Sequence, residues 1–565
     1  MPGYEGRLEL TWTNKAKRLL AAEDGAYEWV DPSDYRVAEV RLLEDLGTVG
    51  DVGQERAADN LLIRGDALNA LRSLARLPEF AKHYLGKVRL AYLDPPFNTQ
   101  QSFLHYDDNL EHSVWLTMMR DRLVQIRELL APDGSVWVHC DDAEQHRLRM
   151  VLDEVFGPAQ FVATVIWEKA DSPRNSARQL STDHDYLVVY SREPEWAPQR
   201  LSRTSAANAI YSNPDNDPRG SWLPGDPYAN KPYSRGLYEV RGPTGRIFRP
   251  PPGRFWRVSE EKLRELDSDG RIWWGPTGAA RPSIKRYLSE VADLVPRTLW
   301  TKEAVGSNRT SKNEMRALFP KAPSFATPKP EALMHRVLSI ASRPGDIVLD
   351  PFLGSGTTAA VAQKMGRRWV GIERQAATLE TYAIPRLTKV LQSTDRGGVT
   401  EVTGWNGGGG FRVLGVTPSM FETDGGIVFL ADAMTNGRLA EATGAQLGFA
   451  FEPSPPFAGR KGRTRLAVID GVVNEDVVRI LVSALGAGER VVICGTGIDP
   501  DARSVLRELR PGSSLRKIPA ALLAEYRTGQ QLQLELAGTV AGPVDGESPT
   551  TNEPAGAVEV GAANG

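Results

Sequence analysis

Ile347-Val348-Leu349-Asp350-Pro351-Phe352-Leu353-Gly354-Ser355-Gly356-Thr357-Thr358 is the stretch on which the reading of the fold turns. A short apolar run, Ile347–Asp350, ends in an acid and passes through a glycine-bearing turn. A helical pattern then runs from about Thr357 to Lys364, and a second apolar run, Trp369–Ile372, ends at Glu373. Strand, turn, helix and strand in this order are the unit of a mostly parallel, doubly wound sheet, whose ligands sit at the carboxyl ends of the strands. Gly354 and Gly356 would let backbone approach a ligand closely, although a GxG pair alone also fits a plain tight turn. The third glycine of the dinucleotide fingerprint is missing, and no lysine stands where a phosphate-binding loop requires one. Glu373 ends the next strand about twenty residues on, where ribose hydroxyls would be met. The combination suits an adenosine ligand without phosphates.

The same rhythm extends outward. Leu61–Arg64 reads as a strand ending at Gly65-Asp66, followed by a helix through Leu68, Leu71 and Leu74. Val88–Leu93 is a strand that runs into Asp94-Pro95-Pro96-Phe97. Ser113 to Leu130 has apolar residues at helical spacing, Pro132-Asp133-Gly134 reads as a turn, and Val136–Cys140 as a strand before a helix from about Asp142 to Phe156. Strand-like runs follow at Phe161–Trp167 and Tyr186–Tyr190. Residues 192–325 are rich in Pro, Gly, Asn and Arg and show little period, which marks a loop-heavy insertion. Ala376 to Leu391 reads as a long helix kinked at Pro385. After a Gly-rich connector at Gly407–Gly410, a separate α/β pattern occupies residues 427–530, with strands near Leu466–Ile469 and Arg490–Cys494. From Gly538 onward the chain has four acidic residues and no Lys or Arg, a composition predicted to be disordered. The resulting division is an N-terminal arm (1–55), an α/β half (56–190), the insertion (191–324), a second α/β half (325–395), a smaller C-terminal α/β domain (396–537) and a tail (538–565).

Asp94-Pro95-Pro96-Phe97 carries the chemistry. Two consecutive prolines cannot continue a sheet interior, so the chain is held rigid and its carbonyls lack sheet partners. A carboxylate, a free carbonyl and an aromatic face form a receptor for a planar group bearing an NH2. The plain alternative is a Pro-rich turn after a strand.

Composition bounds the rest. The 565 residues, 41% hydrophobic and 25% charged, describe a globular protein of several structural units. No apolar run is long enough to span a membrane, and Met1 to Leu10 has no secretory pattern. Cys140 and Cys494 stand far apart, which argues for a reducing, cytoplasmic compartment and against a zinc site or a disulfide framework. The net charge of −3 hides a local asymmetry: residues 161–322 hold 26 Lys/Arg against 19 Asp/Glu, together with seven of the thirteen tryptophans. A basic stretch beside the two motifs fits contact with nucleic acid.

The pair DPPF and FxGxG resembles the amino-methyltransferases of DNA. The catalytic motif precedes the cofactor motif and the irregular basic region lies between them, which is similar to the beta class and most like the modification (Mod) subunits of type III restriction systems. Supporting stretches are Leu62 to Leu68, Leu93 to Thr99, Trp115 to Leu123, Asp141 to Glu144, His184-Asp185-Tyr186, Thr327 to Pro330 and Val348 to Glu373. The resemblance implies a class I, Rossmann-like methyltransferase fold with an inserted target-recognition region. It also implies S-adenosylmethionine as cofactor and transfer of its methyl group to N6 of adenine in duplex DNA after base flipping, with N4 of cytosine as the alternative. Asp350, Phe352, Gly354, Gly356 and Thr357 would line the methionine and ribose side of the cofactor. Glu373 would bind the ribose hydroxyls, Asp66 would approach the adenine, and Lys329 would lie over the methionine. Asp94, Pro95, Pro96 and Phe97 would hold the flipped base, Phe97 standing where Tyr is commoner. Arg235, Arg241, Arg246, Arg249, Arg254 and Arg257 are candidate phosphate or base contacts. A homodimer and a separate restriction or helicase subunit are further implications, and no metal is called for.

Other classes fit less well. Carbon-5 cytosine methylation needs a nucleophilic cysteine after a proline, and neither cysteine follows one. A nicotinamide oxidoreductase is opposed by the missing glycine, and a DNA-binding protein with an idle site by the intact Asp94, Gly354 and Gly356. His184 reads as structural, Trp273-Trp274 as core of the insertion, and Asp141-Asp142 as either a strand-end turn or an electrostatic element.

Overall fold

The computed structural model describes residues 9–21, 27–98, 102–103, 106–107, 111–232, 234–323, 325–424, 427–431, 437–520 and 522. The tail read as disordered lies outside the described residues.

A ten-stranded sheet organises the chain. In chain order its strands are β1 (Leu43–Gly50), β2 (Asn60–Arg64), β3 (Val88–Leu93), β4 (Leu130–Cys140), β5 (Phe161–Glu168), β6 (His184–Ser191), β7 (Leu299–Trp300), β8 (Ile347–Asp350), β9 (Arg368–Glu373) and β10 (Gly410–Val416). They lie side by side as β7-β5-β6-β4-β3-β8-β9-β2-β10-β1. The six strands from β4 to β10 run parallel, while β6 and β1 pair antiparallel with β4 and β10.

The middle strands are apolar without alternation because both faces are covered. Leu61 and Ile63 point into one core and Leu62 into the other. Helices Ala67–Arg76, Pro78–Tyr84, His112–Leu129 and Gln145–Phe156 close the first face, and Glu331–Ala341, Thr357–Lys364 and Ile384–Leu391 close the second. Strand order reverses between β3 and β8, so a crevice opens beyond their carboxyl ends.

Two strands extend the sheet past the expected domain limits. β1 belongs to what reads as an N-terminal arm, and β10 to what reads as the C-terminal unit; they pair with each other at the sheet edge. The Gly-rich stretch before β10 reads as a linker, yet a side chain at Gly410 would overlap the Asp51 carbonyl, so glycine serves close strand approach there. The arm itself packs on helix His112–Leu129, where the Trp12 indole donates to Thr117 Oγ1 at 2.8 Å. The turn residues Pro132-Asp133-Gly134 fall inside β4 as an irregularity, since the register against β3 jumps from Val88↔Leu130 to Leu90↔Ser135. Just before Pro385, where a kink is expected, the helix widens into a π turn, Leu379–Ala383, closed by the Ile384 N–H on the Leu379 carbonyl.

The insertion has its own small core: Tyr228, Phe248, Trp256, Leu263, Ile272 and Trp274, beside a three-stranded sheet of Trp222–Gly225, Ser283–Tyr287 and Ile272–Trp273. Trp274 is buried there and Trp273 packs on Trp222 at 5.4 Å. A five-stranded sheet over residues 450–517 forms the C-terminal unit and contains both strands expected there. Both cysteines are free and buried, Cys140 at the end of β4 and Cys494 in the C-terminal sheet. Among the described residues no helix is long and apolar enough to cross a membrane.

Candidate functional site

The crevice at the β3/β8 switch is a cleft of about 1220 Å³. Asp94, Pro95, Pro96 and Phe97 line it from the end of β3, and Asp350 to Ser355 with Thr357 from the end of β8; Glu373, Asp66 and Lys329 complete the wall. Two stretches more than two hundred residues apart thus face one space.

The loop after β8 is held by its neighbour strand. Glu373 Oε2 accepts the Gly354 N–H and Oε1 the Gln375 N–H, each at 2.9 Å. Burial raises the Glu373 carboxyl above its ordinary range, against those backbone donors. The Arg374 N–H also bonds to this carboxylate, which leaves about one of its four lone-pair positions for a hydroxyl in the cleft. Gly354 has φ +53° and a side chain on it would press on Phe325, whereas Gly356, at φ +81°, is pressed by the Ala383 backbone of the π turn. Gly356 therefore serves packing, and it is the one expected cofactor residue that does not line the cleft. Asp350 is nearly fully buried, and burial pushes its carboxyl up to about 7; the Thr358 hydroxyl and the Phe352 N–H oppose this, and the nearby charges of Asp94 and Glu373 add to it.

Asp66 reaches the cleft with its carboxylate already engaged. Oδ1 caps helix Ala67–Arg76 by accepting the Leu68 N–H at 2.8 Å, and Oδ2 accepts from Arg122 Nη2 at 2.7 Å.

The sequence reading places Asp94 and Lys329 at separate ends of the site; the structure joins them. Lys329 Nζ donates to both Asp94 oxygens at 2.7 and 2.6 Å and stands 5.1 Å from the Phe97 ring centroid. The Pro96 carbonyl is taken by the Trp115 indole at 2.6 Å, which clamps the turn onto helix His112–Leu129. Asn98, at φ +60°, closes the turn by donating to the buried Glu144 at 2.7 Å.

Behind Phe97 lies a polar group that sequence reasoning missed. The His139 ring stacks on Phe97 at 5.4 Å and 25°, with Trp167 edge-on at 5.4 Å. His139 Nδ1 meets the Tyr92 hydroxyl at 3.0 Å and Nε2 meets Asp185 at 3.3 Å, while Lys169 pairs with the other Asp185 oxygen. Burial, aided by the Lys329 charge, lowers the His139 pKa, so a neutral imidazole backs the Phe97 ring. One signal was available: a histidine at the end of an apolar strand beside the one that ends in Asp94. His184 bonds to the Tyr186 hydroxyl at 2.9 Å and Tyr186 to Asp142 at 2.7 Å, a surface chain consistent with a structural role.

The six arginines of the insertion do not line the cleft. Arg249 and Arg254 pair with Glu239 and Asp226, and Arg246 and Arg257 donate to the Ala279 and Tyr228 carbonyls. Arg241 is on a two-residue strand and Arg235 on a short 3-10 turn.

A family model for DNA methylases of the N6/N4 type matches residues 88–383, just over half of the chain. The chain belongs to that family. The match begins on the strand that leads to Asp94 and ends in the π turn past Glu373, so it contains nearly all of the methylase cleft. Among curated proteins, a probable type III restriction-modification enzyme HindVI Mod subunit from Haemophilus influenzae is 29% identical over 64% of this chain and 54% of its own. The type II methyltransferase M.EcaI from Enterobacter cloacae is 29% identical over 52% of this chain and 64% of its own. The chain thus spans about half to two-thirds of the length of these relatives. A DNA modification methylase from Thermus thermophilus, solved with S-adenosyl-L-methionine, overlaps 63% of the chain at 15% identity and a TM-score of 0.30.

Proposed function

We propose that this methylase is an S-adenosylmethionine-dependent, site-specific DNA methyltransferase that acts on N6 of adenine flipped out of the duplex. The observation that carries the proposal is the meeting of the Asp94–Phe97 turn and the Asp350–Thr358 loop in one cleft.

The cofactor half fits the residues present. Glu373 offers its remaining lone pair to a ribose hydroxyl, Gly354 leaves room for close approach, and Asp350 offers a negative group to the methionine ammonium. When bound, S-adenosylmethionine supplies a methyl group on a positively charged sulfur.

The base half is the rigid turn. Asp94 has about four lone-pair positions, of which the Lys329 ammonium takes two, leaving acceptor capacity for an exocyclic amine. Asp94 and the Pro95 carbonyl each accept one amino hydrogen, which draws the nitrogen toward tetrahedral geometry and aims its lone pair across the cleft. Phe97, backed by His139, steadies the ring of the base. Rate gain comes from positioning and from preorganised acceptors rather than from a covalent step. Flipping the base costs a few kcal/mol, met by contacts elsewhere on the duplex. Arg235, Arg241, Arg246, Arg249, Arg254 and Arg257 are proposed to supply some of those contacts from the insertion. A restriction subunit, suggested by the naming of a relative as the Mod subunit of a restriction-modification enzyme, and a second copy of the chain are the proposed partners.

The test is long-read sequencing for modified bases in DNA from a methylation-free host that expresses the chain, beside an Asp94→Ala control. N6-methyladenine at one short motif, absent from the control, is expected. N4-methylcytosine would move the target to cytosine, and an unmodified genome despite cofactor binding in vitro would leave a DNA-binding protein without turnover.

A further inference from the structure

Behind the glycine loop lies a charged cluster that the reaction as proposed does not use. Arg386, Glu331, Lys364 and Asp395 are all buried; Glu331 accepts from Lys364 at 3.0 and 2.8 Å and from Arg386 Nη2 at 2.9 Å, and Lys364 also reaches Asp395 at 2.7 Å. A closed ion cluster would need nothing more. Arg386, however, turns its other nitrogen out of the cluster: Nη1 donates to Thr357 Oγ1 at 2.7 Å.

That contact decides what Thr357 can do. A hydroxyl has one proton and two lone pairs, and a guanidinium only donates. With Arg386 donating from behind, the Thr357 proton is directed away from it. Ser355 Oγ stands 3.3 Å from Thr357 Oγ1, and both residues line the cleft. If Thr357 donates into the cleft, it meets the ligand directly. If it donates to Ser355, the Ser355 proton is released to the cleft instead. Either way the run Arg386 to Thr357 to Ser355 delivers a hydroxyl donor to the cleft, and each bond polarises the next.

The backbone is shaped to allow this. The π turn at Leu379–Ala383 passes close to Gly356, where a Cβ would stand 3.3 Å from the Ala383 Cα, and Arg386 follows three residues later. π turns inserted in helices are frequent at functional sites.

We propose that Arg386 is a positioning residue that fixes Thr357 and Ser355 as donors to the carboxylate of the methionine part of the cofactor. This rests on the cofactor reading above. Losing a charge-assisted bond to a carboxylate corresponds to a loss of about 10- to 100-fold in affinity.

The test uses the full chain and two ligands measured by calorimetry: S-adenosylmethionine, and 5′-methylthioadenosine, which keeps the nucleoside and lacks the amino acid. Arg386→Met and Thr357→Val should each weaken S-adenosylmethionine at least tenfold and leave 5′-methylthioadenosine within twofold. The double variant should be no weaker than the worse single, and Thr357→Ser should restore binding. Thr357→Val lies outside the ion cluster and keeps the test open if Arg386→Met does not fold. Equal weakening of both ligands, unchanged binding of both, or additive losses would overturn the positioning role while leaving the cofactor reading intact. Failure of the unaltered chain to bind either ligand would overturn that reading and the positioning role with it.

Discussion

Asp350 should make the protein less stable as pH rises, and an amide in its place should remove that penalty. The carboxyl is only 3% exposed at the end of β8. Burial raises its pKa from 3.8 to about 7, with Asp94 and Glu373 reinforcing the shift. A carboxyl whose folded pKa lies above its unfolded one stabilises the fold fully below the unfolded value, and loses that contribution as pH rises through the folded value. Relative to an uncharged isostere, the penalty is about 2 kcal/mol near pH 5.5 and about 4 kcal/mol near pH 8.5. Asp350→Asn has the same shape, and its amide oxygen can still accept the Phe352 N–H, which lies 3.0 Å from the native carboxylate. Its stability advantage over the native chain should therefore grow by about 2 kcal/mol from about pH 5.5 to about pH 8.5. Parallel urea titrations at the two pH values read this difference, and the titrating groups that do not interact with Asp350 cancel between the two chains. The same variant should bind S-adenosylmethionine more weakly, since the negative group proposed to face the methionine ammonium is gone. An advantage that stays flat, or shrinks toward alkaline pH, would show that Asp350 is ionised without strain and would refute the argument.

Three further outcomes follow from named contacts. Glu331→Ala leaves the Lys364 and Arg386 charges buried without their shared carboxylate; it should destabilise by about 3–5 kcal/mol, read as a fall in the urea midpoint, and adding Lys364→Met should recover part of it. Trp115→Phe removes the 2.6 Å donor to the Pro96 carbonyl while keeping the packing; kcat for methylation should fall about tenfold with cofactor affinity unchanged, and a matched drop in cofactor affinity would place the clamp's effect elsewhere. Trp256→Ala empties the centre of the insertion's small core; it should cost about 3–5 kcal/mol locally, so proteolysis should quicken within residues 222–287 while hydrogen exchange in β3 and β8 stays unchanged.

How much of this was legible in the sequence depends on whether a residue's role is local. The strands β3 and β8 are short apolar runs ending in Asp94 and Asp350, and the residues that follow them in the chain are the ones that face the cleft. Backbone rules suffice there: paired prolines end a strand and glycines permit a tight approach, so both motifs could be placed at strand ends from their spelling. The sheet edges were not legible for the converse reason. In β1 most positions are polar or exposed, and β10, though apolar, follows directly on a glycine run that reads as a linker, so neither is marked as part of the central sheet. The boundaries drawn at residues 55 and 396 accordingly cut through one sheet. Buried charges were the other blind spot. Nothing in the spelling marks Arg386, Lys364 and Glu331 as buried, because a charge is stable inside only when its partners come from other segments, here spread over residues 331–395. The arginines between residues 235 and 257 show the same limit from the other side: the composition located a basic region, yet Arg249 and Arg254 already hold acidic partners that no spacing announces. Short-range chemistry is thus written in consecutive residues, whereas the polar groups that tune it, His139 behind Phe97 and Arg386 behind Thr357, belong to pairs 42 and 29 residues apart whose meeting only the fold supplies.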